Sequence, residues 1–244
     1  MDEITDLLSE KRLAKYKGIG KENAIACHLF NCELAESFYS SLSYFEIILR
    51  NKIDKIFSKH LGDDWIFKDE YIIGRNRDNM KSALTHIKDT KKSSKDKNHI
   101  ISELSLGFWV YLFLPAYNDV IWKKHPQILQ EIFDGCKDIS VLSRIFNKLN
   151  RIRMYRNKIF HYGSLLVVAE ENRPEKVHNL IYRMVGDLNA PKLLKELRKI
   201  DSFNEKYLKG KKSRDFKTIK DDSKYNQRNS CVKTLNVFYS HPIC

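Results

Sequence analysis

The stretch Glu22–Lys59, ENAIACHLFNCELAESFYSSLSYFEIILRNKIDKIFSK, decides the fold class. Its apolar positions Phe30, Leu34, Phe38, Leu42, Phe45, Leu49, Ile53 and Ile56 recur at spacings of three and four, which puts them on one face of a helix. Gly62 stops the pattern. The spacing predicts one long helix, with Ser40-Ser41 as the place where it bends.

The same period governs the chain on both sides. A second helix is predicted over Asn76–Thr90, followed by a Lys/Ser/Asp-rich surface loop over Lys88–Lys97. Two helices are predicted over Asn98–His125, joined near Phe108-Trp109 and broken at Pro115. Asp138–Phe160 reads as another long helix, capped by Asp138 or Ser140 and ended by Gly163. Pro174–Leu188 and Pro191–Ile200 each place a proline in a first helical turn. With 9 Gly and 5 Pro in 244 residues to interrupt these patterns, an all-α bundle is predicted, with one domain over residues 1–200 and a basic, partly flexible C-terminal extension over 201–244.

Composition narrows the function. Hydrophobic residues at 42% and a mean hydropathy of −0.49 describe a chain with a core and exclude disorder throughout. The longest apolar cluster, Phe108–Pro115, is far short of the roughly 18–20 residues of a membrane span. Met1–Leu8 opens on acidic residues with no basic segment before an apolar one, so a cytoplasmic protein is expected. Five scattered cysteines without a C-x-x-C pair argue against a disulfide framework or zinc ribbon, and Cys27 and Cys32 read as small apolar residues. The histidines show no metal-ligand spacing and there is no Gly-rich phosphate loop, so no metal or cofactor is expected. Consecutive aromatics at Phe108, Trp109, Tyr111 and Phe113 read as core rather than as a base-stacking platform.

A formal net charge of +13, from 44 Lys+Arg against 31 Asp+Glu, favours a polyanionic partner: nucleic acid or an anionic membrane. Two segments hold the surplus. Lys206–Lys233 carries ten basic residues, Lys211, Lys212 and Arg214 among them, against three acids. This reads either as a solvated extension or as an RNA-capturing one, and no amphipathic apolar face accompanies it to favour a membrane. Arg144–Lys158 carries six basic residues and no acid.

Turning that second segment by about 100° per residue puts Arg144, Lys148, Arg151, Tyr155 and Lys158 on one polar side, a surface expected with Arg153 to hold RNA. Ile145, Leu149, Ile152 and Ile159 fall opposite, and Arg156 projects into the middle of their arc, where a charge is costly unless paired or ligand-bound. Arg offers a planar fork for phosphate and His161 a proton carrier near neutral pH. Together they suit attack of an RNA 2′-hydroxyl on its own 3′-phosphate, with Asn157 beside them to bind phosphate or orient His161. Five residues separate Arg156 from His161 around the helix, so a homodimer that brings two copies together resolves the geometry. The competing reading is a core-paired arginine with an incidental histidine. Arg50-Asn51-Lys52-Ile53 repeats Arg156-Asn157-Lys158-Ile159 without the histidine, Lys55 taking its place. Glu46 and Arg50, spaced i, i+4, are expected to pair, and Glu46 is also placed to hold Arg156.

Four blocks in order, Leu8-Ser9…Arg12-Leu13, Phe45-Glu46-Ile47-Ile48-Leu49-Arg50-Asn51, Leu104-Ser105-Leu106-Gly107-Phe108-Trp109-Val110-Tyr111-Leu112-Phe113 and Arg156-Asn157-Lys158-Ile159-Phe160-His161, resemble the Abi-like proteins. This abortive-infection group, which includes AbiD and AbiF, lies within the HEPN superfamily. The resemblance implies a HEPN-type helical bundle with additional helices, usually dimeric, and a metal-independent endoribonuclease site of the R-x4-H type. Arg156, Asn157 and His161 fall on the site positions, Glu46 and Arg50 on a supporting block. It also implies anti-phage defence by toxin-like RNA cleavage, held in check by a partner such as a structured non-coding RNA. Many relatives continue with a second His and an acidic residue, where this chain has Tyr162-Gly163-Ser164. A catalytically silent RNA-binding scaffold is the alternative.

Overall fold

The computed structural model describes residues 3–19, 24–89, 96–136 and 138–214, side chains at 89 and 211–214 excepted. Among these the chain is all-α, without a strand. Its helices are α1 (Glu3–Leu8), α2 (Glu10–Leu13), α3 (Ala24–Ser37), α4 (Tyr39–Leu61), α5 (Arg75–Asp89) and α6 (Lys97–Glu103). They continue with α7 (Leu106–Tyr111), α8 (Pro126–Ile132), α9 (Leu142–Phe160), α10 (Pro174–Asp187), α11 (Pro191–Lys199) and α12 (Phe203–Arg214). No helix among the described residues is long and apolar enough to cross a membrane.

The axis of the bundle is α4. Its stripe of Leu42, Phe45, Leu49, Ile53 and Ile56 is buried against α7, α8 and α10, and Gly62 ends it at φ 97°, a conformation open to glycine. α9 packs on α7 and α10 through Ile145, Leu149 and Ile152, each 0% exposed. Asp138 accepts the Ser140 N–H at 3.0 Å and starts the short turn before α9, while Pro174 and Pro191 open α10 and α11. Phe57, Trp65, Trp109 and Trp122 interlock at ring distances of 4.9–6.3 Å, so this end of the core is aromatic.

The long helix predicted over Glu22–Lys59 divides at Phe38, ahead of Ser40-Ser41. An unbroken helix of that length would run about 57 Å, well beyond the roughly 30 Å of a small domain. Ser37 marks the break: it donates its hydroxyl to the Leu34 carbonyl at 2.6 Å, and the Phe38 N–H, which would otherwise take that carbonyl, reaches to Ala35 at 3.2 Å; Ser41 donates to the Phe38 carbonyl at 3.1 Å, which still accepts the Leu42 N–H at 2.9 Å. Phe38 itself is 0% exposed and meets Tyr155 of α9, His178 of α10 and Phe203 of α12.

The break in Asn98–His125 falls at Leu104-Ser105, not at Phe108-Trp109, which lie buried inside α7. The core continues past residue 200. Phe203 is buried and stacks on His178, Asp201 meets His178 at 3.0 Å, and Lys206 pairs with Glu36 at 2.9 Å. Gly210 lies against the Phe30 ring, where a Cβ would overlap it. The first part of the basic extension is therefore a docked helix; the rest, including Leu235–Tyr239, lies outside the described residues, as does most of the Lys88–Lys97 loop.

Phe38→Ala removes a ring that meets three helices and is expected to cost about 3–5 kcal/mol. Urea unfolding of the variant beside the parent checks this; a loss under about 1 kcal/mol would contradict the central role given to that ring.

Candidate active site

α9 delivers the predicted residues, and its buried face fixes which way they point. Ile145, Leu149 and Ile152 enter the core, and one turn on Arg156 leaves it half-buried. Its Nε lies 3.7 Å from the Glu46 carboxylate on α4 and makes no hydrogen bond to a described group. The guanidinium lies over the Phe160 ring, Cζ 4.3 Å from its centre. Glu46 thus faces Arg156; Arg50 instead donates from Nε to the neighbouring Asn51 at 3.3 Å, so the expected i, i+4 pair does not form.

His161 is exposed and occupies the C-cap of α9. The helix closes with three backbone bonds: the His161 N–H to Asn157 O at 2.9 Å, Tyr162 N–H to Ile159 O at 3.0 Å and Gly163 N–H to Lys158 O at 2.7 Å. The last two form a Schellman motif. The left-handed residue that motif needs is Tyr162, at φ 55°, and not the predicted Gly163. Gly163 serves close approach instead, since a Cβ there would meet Lys158 Cγ at 2.6 Å. Asn157, half-buried, contributes the carbonyl that holds the His161 N–H.

Two residues that sequence reading gave no role hold this turn. Arg12 of α2 donates from Nη1 to the Tyr162 carbonyl at 3.1 Å. Asn31 of α3, 3% exposed, donates to the Gly163 carbonyl at 3.2 Å and accepts the Leu165 N–H at 2.6 Å. Asn31 stands four residues after Cys27 and three before Leu34, so its place on the buried stripe was the available signal. Arg12, His28, Asn31, Cys32 and Tyr162 line a pocket of about 200 Å³ behind the turn. Cys27 is buried, whereas Cys32 is exposed, 4.0 Å from His28 Nε2.

The polar side drawn for α9 is not one open surface. Tyr155 is the clearest departure: it is buried against Phe38, and burial drives its phenol well above the ordinary range. A tyrosine ring is mostly apolar, and this one takes a core position. Lys158 is half-buried, donates to the Val167 carbonyl at 3.4 Å, and burial, with Lys15 nearby, lowers its pKa from 10.5 to about 8. Burial also lowers Lys148, opposed by Asp187. Arg151 is half-buried, Arg144 exposed, and Arg153 donates to Asn150 Oδ1 at 3.0 Å while lying over the Tyr111 ring. The side chains of Lys211, Lys212 and Arg214 lie outside the described residues. Among the described residues no group of three or more His, Cys, Asp or Glu is placed to hold a metal ion.

No protein-family model, curated protein or solved structure matches the chain. The site must therefore be judged on its own chemistry. It brings Glu46 to Arg156 and places His161 one and a half turns along the same helix, about 140° away around its axis.

Asn31→Ala leaves a carbonyl and an N–H of the 163–165 segment without their partner and is expected to cost about 2–3 kcal/mol, read as a lower urea midpoint at unchanged m. The lowered pKa of Lys158 fixes a sign. Between pH 8 and 10.5 the unfolded chain holds that proton and the folded one does not, so this residue's contribution to stability rises with pH. Lys158→Met, which removes the buried charge, is expected to melt above the parent at pH 7, with the gap closing toward pH 10. A gap that stays constant with pH would refute the assignment.

Proposed function

We propose that the chain is a metal-independent endoribonuclease of the Abi-like group in the HEPN superfamily, acting as a homodimer. The observation that carries the reading is Arg156: a half-buried guanidinium held loosely by one carboxylate, with Nε making no hydrogen bond among the described residues, on the helix that ends in an exposed histidine. Such a group is fixed in direction and still able to bind a phosphoryl oxygen.

In the reaction, the RNA 2′-oxygen attacks the adjacent phosphorus and His161 takes its proton. Arg156 stabilises the negative charge growing on the phosphoryl oxygens. The P–O5′ bond breaks, the leaving 5′-oxygen takes a proton, and the products are a 2′,3′-cyclic phosphate and a 5′-hydroxyl. Because Arg156 and His161 point apart on one helix, a second copy supplies the complementary pair. Tyr44, Ile47, Met154 and Phe160, all exposed and within four residues of Glu46 or Arg156 in sequence, provide apolar surface for that contact. The resemblance of the four sequence blocks gives the setting: cytoplasmic, toxin-type anti-phage defence, with a non-coding RNA as a regulating partner.

Incubation with RNA in EDTA is expected to yield fragments with 2′,3′-cyclic phosphate ends, and His161→Ala or Arg156→Ala to slow cleavage by at least about 100-fold. Activity lost on chelation, or His161→Ala cutting at the parent's rate, would sink the mechanism. Tight RNA binding without cleavage would assign the silent scaffold instead.

A further inference from the structure

Arg156 is not the only arginine of α9 set on an aromatic ring. One turn earlier, Arg153 lies over Tyr111 of α7 with its Cζ 5.2 Å from the ring centre, and Arg75, the first residue of α5, approaches the same ring at 5.5 Å. Three helices thus converge to put two guanidinium groups on one tyrosine. Neither has a carboxylate within 4.0 Å among the described residues. Asn150 accepts from Arg153 Nε at 3.0 Å, and Asn79 donates to the Arg75 backbone carbonyl at 2.9 Å and accepts the Ser105 hydroxyl at 3.2 Å. Gly107 forms the floor, where a Cβ would meet Ser105 Oγ at 3.3 Å, Tyr111 Cε2 at 3.5 Å and Arg153 Cδ at 3.8 Å.

Two like charges set on one ring, with no carboxylate within 4.0 Å among the described residues, gain nothing from each other. A purely structural junction would be better served by one arginine and one carboxylate. What repays the arrangement is an anion with several negative groups. Arginines fixed in orientation by a ring keep their N–H edges for phosphate, and less side-chain freedom remains to be lost on binding.

We infer that Arg75, Tyr111 and Arg153 form a clamp for the phosphate backbone of a single RNA strand, separate from the cleavage residues. The inference rests on the RNA reading above. Arg153 and Arg156 are neighbours three apart on the surface of α9, so a strand with its scissile phosphate at Arg156 carries its flanking phosphates toward the clamp. Backbone capture of this kind sets register and affinity without reading sequence. Arg75 and Tyr111 therefore join the residues that hold substrate.

The test is fluorescence anisotropy of the full chain with a labelled single-stranded 2′-O-methyl RNA of about a dozen nucleotides, which lacks the nucleophile and so reports binding alone. Arg75→Gln and Arg153→Gln are each expected to weaken binding about five- to tenfold at low salt and to lower the slope of log K against log salt by about 0.7. Tyr111→Leu is expected to weaken binding while keeping that slope. Arg75→Gln, on an exposed helix end, keeps the test valid where Arg153→Gln lowers the melting temperature. Variants that bind with the parent's affinity and salt slope overturn the clamp. Clamp-dependent binding with no cleavage of the all-ribose strand overturns the nuclease reading and leaves the clamp standing. A parent that does not bind the oligonucleotide overturns both.

Discussion

Phe38 is the constraint on which the other parts depend. Its ring fills the space where α4 parts from α3 and meets α9, α10 and α12 at once. The helix is interrupted there by a single residue, and α3 ahead of it is the element whose side chains reach the segment after α9. Its Asn31 meets the backbone of residues 163–165 and lines the pocket behind the turn. The turn after His161 is thus held by a helix more than a hundred residues away in sequence. The cause of the kink is local: the Ser37 hydroxyl takes the Leu34 carbonyl, which an unbroken helix would give to the Phe38 N–H.

Much of this was legible in the chain. Ile145, Leu149 and Ile152 have the spacing and the apolarity of core residues and are buried as read. Arg156 breaks their pattern in the sequence, and the structure keeps it half-buried and gives it Glu46. Periodicity misled where a residue's two halves differ in polarity. Tyr155 carries one hydroxyl on a large ring, and the ring decides its place. The left-handed position after α9 was read onto Gly163 because glycine adopts it without cost, yet Tyr162 occupies it while Arg12 holds its carbonyl. No single-sequence signal marks a residue strained by a contact 150 positions away. The kink was placed at Ser40-Ser41, since side-chain bonds from Ser37 and Ser41 cannot be ranked before the packing of Phe38 is known.

Charge shows the same limit more sharply. A helical wheel treats every cation of Arg144–Lys158 as equally solvated, but the fold distributes them around the helix into different surroundings. Lys158 is half-buried against the turn it supports, and burial moves its proton affinity toward neutrality. Lys148 is lowered by burial and feels the charge of Asp187. Arg144 stays exposed. The net charge of the chain is unchanged by this sorting, but the number of cations available to a polyanion is smaller than the sequence total.

The looseness of the Glu46–Arg156 pair has a physical meaning of its own. A bidentate carboxylate at hydrogen-bond distance would satisfy the guanidinium and compete directly with a phosphate for the same edge. With no carboxylate at all, a half-buried arginine would carry a desolvation cost that favours swinging out into water. At 3.7 Å, with Phe160 beneath the guanidinium, the group is oriented by attraction and stacking while its Nε makes no hydrogen bond to a described residue. Arg153 and Arg75 on Tyr111 repeat the device one turn away, with the ring, and for Arg153 also the Asn150 amide oxygen, doing the orienting. At Tyr111 an aromatic surface takes the role usually given to an acid, and at Arg156 it shares that role with Glu46.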